Sequence, residues 1–91
     1  MNKAIVTVLA NDRVGIIATV SSRLSELSVN ILDMTQTVWD DNVFVMLMLV
    51  DTTTSKKSFH EISENLKALG EGQNISIRIQ REEIFNAMHT V

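Results

Sequence analysis

Six segments with periodic hydrophobicity follow one another along this chain, and their order limits the possible folds more than any other feature. Four segments rich in apolar and β-branched residues predict strands over Ala4–Ala10, Ile31–Val38, Val43–Val50 and Asn74–Gln80. Apolar residues at three- and four-residue spacing predict amphipathic helices around Ile17–Leu27 and over Ser55–Gly70. The order β-α-β-β-α-β predicts an α+β, ferredoxin-like fold, in which a four-stranded antiparallel sheet carries both helices on one face.

The hydrophobic pattern of each strand predicts its place in that sheet. The first strand and Val43–Val50 are apolar on both faces, which is typical of interior strands. Ile31–Val38 carries polar residues between its apolar ones and suits an edge, joined to the next strand by the turn Trp39-Asp40-Asp41-Asn42. Because both helices cover the same face, the second apolar face of Val43–Val50 needs another cover.

The ends of the helices are predicted from capping chemistry. Asn11 or Asp12 is expected to cap the first helix, Ser55 or Ser58 the second, and Gly70 to end the second. A tail over residues 82–91 has Ile84, Phe85 and Met88 at helical spacing and predicts a short C-terminal helix, packed on its own domain or on a partner. We therefore expect one domain over residues 1–91, with a core over 3–81.

Composition excludes several classes of function. The 91 residues have a formal net charge of -3, which argues against a nucleic-acid partner, because binding to phosphate backbones depends on clustered Lys and Arg. The absence of cysteine rules out disulfides and thiolate metal sites, and together with the absence of a signal-peptide pattern it favours the cytoplasm. The longest apolar run, Val43–Val50, is too short to span a membrane.

The stretch between the first strand and the first helix is the best candidate for a binding site. It reads Asn11-Asp12-Arg13-Val14-Gly15-Ile16-Ile17-Ala18. The amides of a first helical turn, together with the positive end of the helix dipole, attract a carboxylate or phosphate. Gly15 lacks a Cβ and lets a ligand or another backbone come close. The alternative is a capped turn in which the glycine serves only close packing of the helix on the sheet.

This loop, followed by Leu24, Leu27 and the sequence Val29-Asn30-Ile31, resembles the pattern of the ACT family of regulatory amino-acid-binding domains. The resemblance extends over residues 3–81 and is closest to small stand-alone bacterial members and to domains of the glycine cleavage repressor type. It implies a homodimer whose two sheets join side by side, with a small ligand such as an amino acid held at the interface. The candidate ligand-binding residues are then Asn11, Asp12, Arg13, Val14, Gly15, Ile16, Asn30 and Ile31.

Three positions depart from the family pattern. Val14 stands where many members have proline, and Ser28 where a glycine often ends the first helix, so a left-handed serine is expected there at a cost of about 1 kcal/mol. Ala10 cannot supply the polar contact that the last residue of the first strand gives in some members. Asn30 has a second interpretation, as a turn residue that closes the helix-strand junction.

No other group of residues predicts a catalytic, cofactor or metal site. His60 and His89 lack neighbouring ligands at metal-binding spacing, and Asp40 and Asp41 suit a turn. The methionines, with Met34 and Met46 among them, are expected in the core or in a dimer contact.

The sequence therefore predicts a non-enzymatic, regulatory homodimer that binds a small metabolite and passes its signal to a separate, unidentified protein. Three alternatives stay open at this stage. One is an ACT-like dimer that serves protein interaction and has no ligand. An acylphosphatase-like enzyme would need a phosphate-cradling loop richer in glycine than the one around Arg13 and Gly15. An RNA-recognition module would need several aromatic residues on its central strands, where only Phe44 lies.

Overall fold

The computed structural model describes residues 2–11, 14–39 and 42–83. Along the chain it contains β1 (Lys3–Ala10), α1 (Ile16–Glu26), β2 (Asn30–Trp39), β3 (Val43–Asp51), α2 (Phe59–Gln73) and β4 (Ser76–Arg81). The predicted order β-α-β-β-α-β and the α+β, ferredoxin-like fold are thereby confirmed.

The four strands form one antiparallel sheet in the order β2-β3-β1-β4. β1 and β3 therefore lie in the interior and β2 lies at an edge, as their hydrophobic patterns predict. Asp51 pairs with Lys3 on one side and with Asn30 on the other, so β2 and β1 begin at the same end of the sheet. The register of β2 shifts between Ile31 and Asp33, where a bulge interrupts the pairing.

One face of the sheet is buried beneath the two helices. Alternate residues of each interior strand point to this face, and α1 and α2 contribute the opposite side of the core. The fully buried side chains include those of Val6, Val8, Val20, Leu24, Phe44, Met46, Met48, Val50, Ile62 and Leu66. Each side chain of this size contributes about 1.5–3 kcal/mol by leaving water, so this single layer supplies most of the stability.

The other face of the sheet has no helix on it. Ile5, Thr7 and Leu9 of β1 lie beside Val43, Val45, Leu47 and Leu49 of β3, and all of them are half-buried or exposed. We call these seven residues the open face. They are the second apolar face for which the sequence predicts a cover.

Ser28 lies in the left-handed region, with φ 59°, directly after α1. This confirms the expected strain at the position where the family pattern has glycine. The turn is held by the Val29 amide, which donates to the Leu24 carbonyl at 2.9 Å, and by the Thr54 hydroxyl, which donates to the Ser28 carbonyl at 2.9 Å. These bonds offset the cost of the backbone conformation.

α2 begins directly after the second of the two predicted caps, four residues after the predicted start at Ser55, and it also ends later than predicted. Ser58 is its N-cap and forms a capping box with Glu61, so one of the two proposed caps is confirmed. Gly70 does not end the helix. It lies inside α2 against β4, where an added Cβ would stand 2.6 Å from the Ile75 carbonyl oxygen. The helix ends instead at Asn74, which adopts the left-handed conformation that asparagine tolerates.

The C-terminal tail is described only at its start. Residues 82 and 83 follow β4 in a helical conformation. Ile84, Phe85 and Met88, which carry the predicted tail helix, lie outside the described residues.

Candidate ligand site at the glycine loop

The first helix begins without a side-chain cap. Its N-cap is Gly15, which has φ 75° and no side chain, and no described side chain caps the helix. The prediction that Asn11 caps α1 is therefore wrong, and Asp12, the alternative cap, lies outside the described residues. The first turn also contains no acidic residue. The positive end of the α1 dipole is thus left uncompensated by the described side chains.

The second helix ends beside the start of the first. The Ile75 amide donates to the Gly70 carbonyl at 2.9 Å, a bond that closes the last turn of α2 around the left-handed Asn74. No basic residue lies in that last turn. The negative end of the α2 dipole is therefore also uncompensated by its own side chains.

A cavity of about 270 Å³ lies between these two helix ends. It is lined by Asn11, Val14, Gly15, Ile16, Thr19, Gln73, Asn74 and Ile75. A second, more open depression shares Asn11, Asn74 and Ile75 with it and extends across the end of the sheet, where β1 ends, to Glu71 and Ser76. The volume suits a small metabolite, because it lies just below the range of pockets that hold drug-sized molecules.

The polar side chains around this cavity have no partners within the described part of the chain. No side-chain hydrogen bond joins Asn11, Thr19, Gln73 or Asn74 to any other described residue. Amide side chains offer both donors and acceptors, and a hydroxyl offers the same from a single atom. The cavity thus combines opposite dipole ends with adaptable hydrogen-bonding groups.

Of the eight residues of the sequence-predicted site, the structure brings four together and places two at a distance from them. Asn11, Val14, Gly15 and Ile16 all line the cavity, whereas Asp12 and Arg13 lie outside the described residues. Asn30 and Ile31 lie at the other end of the sheet, because Asn30 pairs with Asp51 beside the start of β1. The length of β1, about 24 Å for seven residue steps, separates them from the glycine loop within one chain.

The sequence analysis missed the contribution of α2 to this cavity. Gln73 and Asn74 lie far from the loop in sequence, and Asn74 was assigned to the start of a strand. An asparagine that follows an amphipathic segment is a common left-handed helix end, and that pattern predicts its true position. The proximity of two helix ends depends on how the helices pack, and no local pattern reveals it.

A larger cavity, of about 600 Å³, lies at the opposite end of the molecule, and it differs in its chemistry. Its walls include Lys3, Lys57 and Arg81, together with the N-terminus of α2. That helix end is already occupied by the Ser58 and Glu61 capping box. The Arg81 guanidinium stacks 4.2 Å from the centre of the Phe59 ring. The capping box and the Arg81–Phe59 stack already use part of this wall, whereas neither helix end at the smaller cavity is compensated by a described side chain. The smaller cavity is therefore the better candidate.

The metal-binding and RNA-binding alternatives find little support in the described residues. His60 is exposed and lies 3.9 Å from the Glu64 carboxylate, an ordinary pair along a helix surface. In the described ranges no three His, Cys, Asp or Glu side chains gather as metal ligands. His89, Asp40 and Asp41 lie outside those ranges. Phe44 is buried beneath the helices, where it cannot stack on an RNA base.

None of the helices within the described ranges is both long enough and apolar enough to cross a membrane.

Comparison with protein families gives a match over nearly the whole chain. The model of the ACT domain matches residues 2–80. A UPF0237 protein of Listeria monocytogenes is 47% identical over 87 residues, which cover 96% of this chain and 97% of that protein. A UPF0237 protein of Methanocaldococcus jannaschii is 40% identical over 91 residues and covers both chains completely. Proteins of this size and sequence therefore occur in both bacteria and an archaeon.

Solved structures show the same fold. An ACT domain protein from Streptococcus pneumoniae superimposes with a TM-score of 0.82 at 39% identity, over 92% of this chain and 93% of that one. A putative glycine cleavage system transcriptional repressor superimposes with a TM-score of 0.74 at 22% identity, over 88% of this chain and 45% of that one. The second likeness is one of fold alone.

Proposed function

Since the chain belongs to the ACT domain family, we propose that it is a regulatory module that binds a free amino acid and works as a homodimer. Members of this family typically have regulatory, ligand-binding roles, so the family supports the general class of function. The resemblance of the glycine loop and of Asn30 and Ile31 to the family pattern implies an amino-acid ligand and a homodimer, and the residues described above support both. The candidate site is the cavity between the start of α1 and the end of α2.

The juxtaposition of two opposite helix ends is the observation that carries the choice of ligand. A free amino acid is a zwitterion at neutral pH, with a carboxylate and an ammonium group only two bonds apart through its α-carbon. The carboxylate suits the uncapped amides that follow Gly15, and the ammonium suits the carbonyl end of α2 near Gln73. A ligand with only one of these charges satisfies only one helix end.

The edge strand β2 supports the dimer. Every residue of β2 except Ile31 is exposed, and Trp39 is 62% exposed. A ten-residue edge that contains Asp33 as its only charged residue leaves unpaired backbone groups that readily pair with another strand. β4, the other edge, is shorter and carries Arg78 and Arg81, which oppose such pairing. We therefore place the dimer contact at β2.

Antiparallel pairing of two β2 strands also explains the distance between the two parts of the predicted site. A two-fold axis through the middle of the paired strands places the start of β2 in one copy beside the end of β2 in the other. The end of β2 lies at the same end of the sheet as Gly15. Asn30 and Ile31 of one copy are thereby carried towards the glycine loop of its partner, and each ligand lies between two chains.

Regulation follows from this shared site. We consider two arrangements of the two copies in the dimer. A ligand held by the glycine loop of one copy and by Asn30 of the other stabilises the arrangement for which it has the higher affinity. The size of the response is limited by the difference in affinity between the two arrangements.

Binding rather than catalysis is the role that we propose. The described residues that line the cavity are apolar, amide or hydroxyl residues, and none of them titrates near neutral pH. General acid-base chemistry needs such a group within hydrogen-bonding distance of the substrate. The acylphosphatase-like alternative rests on Arg13, and turnover of an acyl phosphate that Arg13→Ala abolishes would support it instead.

The cytoplasmic location stays a prediction from the absence of cysteine.

A thermal-shift screen against the free L-amino acids tests this proposal. A ligand at 100 times its dissociation constant adds about 2.7 kcal/mol, which raises the melting temperature of a domain of this size by about 10 °C or more. For the best amino acid, the matching amine without the carboxylate and the matching acid without the amino group should give much smaller shifts. If no amino acid changes the melting temperature, the ligand-free interaction dimer is the better account.

A further inference from the structure

The depression beside the candidate cavity is continuous with it, because Asn11, Asn74 and Ile75 line both. From these shared residues it extends across the end of the sheet. Among the described residues that line the cavity or the depression, Glu71 is the only charged one. A ligand held in the cavity can therefore place its side chain in the depression, where it meets a carboxylate.

We propose that Glu71 makes the site selective for a basic amino acid, such as lysine, ornithine or arginine. Its carboxylate accepts a hydrogen bond from the cationic end of the ligand side chain, while the ligand carboxylate lies at the glycine loop. This inference rests on the proposed amino-acid site, and it adds the class of side chain that the ligand carries.

The wall of the depression matches both parts of such a side chain. Its floor is apolar and is formed by Leu9, Ala10, Val43 and Ile75. Leu9 is 41% exposed, so part of this floor is open to a ligand. Long basic side chains cover apolar surface with their aliphatic stems and keep the charged head at a polar border. Glu71 provides that border, and the Ser76 hydroxyl also lines the depression.

The position of Glu71 along α2 suits a side chain of this length. Glu71 lies three residues before Asn74, which is about 4.5 Å along the helix axis. Because Asn74 lines both the cavity and the depression, a ligand backbone beside it lies within about one helical turn of Glu71. The flexible four-carbon stem of lysine can span a gap of this size.

Glu71 has no cationic partner within the described part of the chain. Lys67 lies one turn earlier on α2, and no ion pair joins the two. Glu71 also lies in the last turn of α2, where a carboxylate is unfavourable beside the negative end of the helix dipole. A ligand cation in the depression would be attracted by both the carboxylate and this helix end.

Calorimetric titration of the full chain with L-lysine and L-norleucine tests the proposal. Norleucine has the stem of lysine but no side-chain ammonium. We expect the wild type to bind L-lysine about tenfold more tightly, because a hydrogen bond between two charged groups is stronger than a neutral one. Added salt should reduce this preference, since charges in contact with water are screened. Equal affinities for the two amino acids would overturn the proposal.

Glu71→Gln removes the carboxylate and keeps the shape of the side chain. It should weaken binding of L-lysine by about tenfold and leave binding of L-norleucine unchanged. The ligand-free variant should melt at a slightly higher temperature than the wild type, because a negative charge is lost from the last turn of a helix. A lower melting temperature together with equal loss of both amino acids would indicate a structural role for Glu71 and would refute the proposal.

Glu64→Gln is the matched control. Glu64 lies on the same helix, about 10 Å from Glu71 along the axis, and its carboxylate lies 3.9 Å from His60. The substitution changes the net charge by the same amount as Glu71→Gln and should leave the preference for L-lysine unchanged. Loss of the preference in this variant would show that net charge, and not contact with Glu71, selects the ligand.

Charge reversal provides a second test at the same position. Glu71→Lys should make the site prefer L-glutamate to L-lysine, because the sign of the charge at the end of the depression is reversed. A Glu71→Lys variant that still prefers L-lysine would place the ligand cation elsewhere and would refute the proposal.

The outcomes also separate this inference from the proposed function. If neutral amino acids bind and L-lysine binds no more tightly than L-norleucine, the amino-acid site stands and the role of Glu71 is refuted. If no free amino acid binds, the proposed function fails, and the role of Glu71 fails with it.

Discussion

The two ends of the molecule differ in whether their polar side chains form hydrogen bonds within the described part of the chain. At the end where β1 and α2 begin, which we call the capped end, side chains pair with nearby groups of the chain. Ser58 and Glu61 form the capping box, and Thr53 donates both its amide and its hydroxyl to Asp51. At the glycine-loop end, where α1 begins and α2 ends, Asn11 and Gln73 make no side-chain bond to another described residue.

The capped end therefore contributes to stability, whereas the glycine-loop end is available for ligand binding. Hydrogen bonds from Thr53 lower the pKa of Asp51, and those from Ser58 lower the pKa of Glu61, because a carboxylate that accepts such bonds resists protonation. These groups are committed to the fold. Polar groups at the glycine-loop end stay available for a ligand, at the expense of the stability that caps would add.

The largest expected change in stability concerns Gly70, whose packing fixes the end of α2. Gly70→Ala should destabilise the protein by about 2–3 kcal/mol, because its Cβ would collide with the backbone carbonyl of Ile75. Gly72→Ala is the matched control in the same helix turn, with no atom near its Cβ, and should stabilise by up to about 1 kcal/mol. Urea unfolding of both variants measures the difference. Equal effects would mean that the end of α2 is not held where the cavity requires it.

The next test concerns the start of α1. Gly15→Val should lower stability by about 1–2 kcal/mol, because a β-branched residue is strained at φ 75°, and it should abolish the amino-acid thermal shift. Gly15→Asn is the conservative control, because asparagine tolerates this conformation and should fold almost as well. A normal ligand response in Gly15→Val would remove the glycine loop from the site.

At the capped end, Ser58→Ala should cost about 1 kcal/mol at neutral pH and leave the ligand response intact. The folded-state pKa of Glu61 is held below its ordinary value of 4.5, so its contribution is present above that value and is lost as the pH falls through the folded pKa. The stability difference between wild type and variant should therefore shrink in acid. Urea unfolding at several pH values measures it, and a difference that grows towards low pH would contradict this assignment.

The smallest expected effect concerns Asn74, the left-handed end of α2. Asn74→Ala should cost about 0.5–1 kcal/mol, whereas Asn74→Gly should change stability by only a few tenths. Both variants lose an amide that lines the cavity and should weaken the ligand response to a similar extent. Thermal unfolding with and without the amino acid measures both effects. A response that neither substitution changes would exclude the Asn74 side chain from ligand contact.

The comparison also shows how much of the molecule could be predicted from its sequence. The strand and helix order, the interior position of β1 and the Ser58 cap each follow from local patterns, and all are confirmed. The prediction that Gly70 ends the helix is wrong because a glycine fits both a left-handed turn and a close approach, and only the position of Ile75 decides between them.

The candidate site was harder to predict than the fold. The loop residues around Gly15 follow from chemistry within eight consecutive positions. Gln73 joins them only because two helices pack side by side, which no short pattern records. Asn30 joins them only if a second chain is present, so its place in the site stays a prediction.

The most direct test of a site shared between two copies is complementation between two inactive variants. Gly15→Val and Asn30→Ala should each lose binding of the amino acid selected by the thermal-shift screen. After they are mixed in equal amounts and allowed to exchange subunits, half of the dimers contain one copy of each. Each mixed dimer has one intact site, so calorimetric titration should recover about a quarter of the wild-type stoichiometry. A mixture that binds no amino acid, although mixed dimers form, would contradict the shared site.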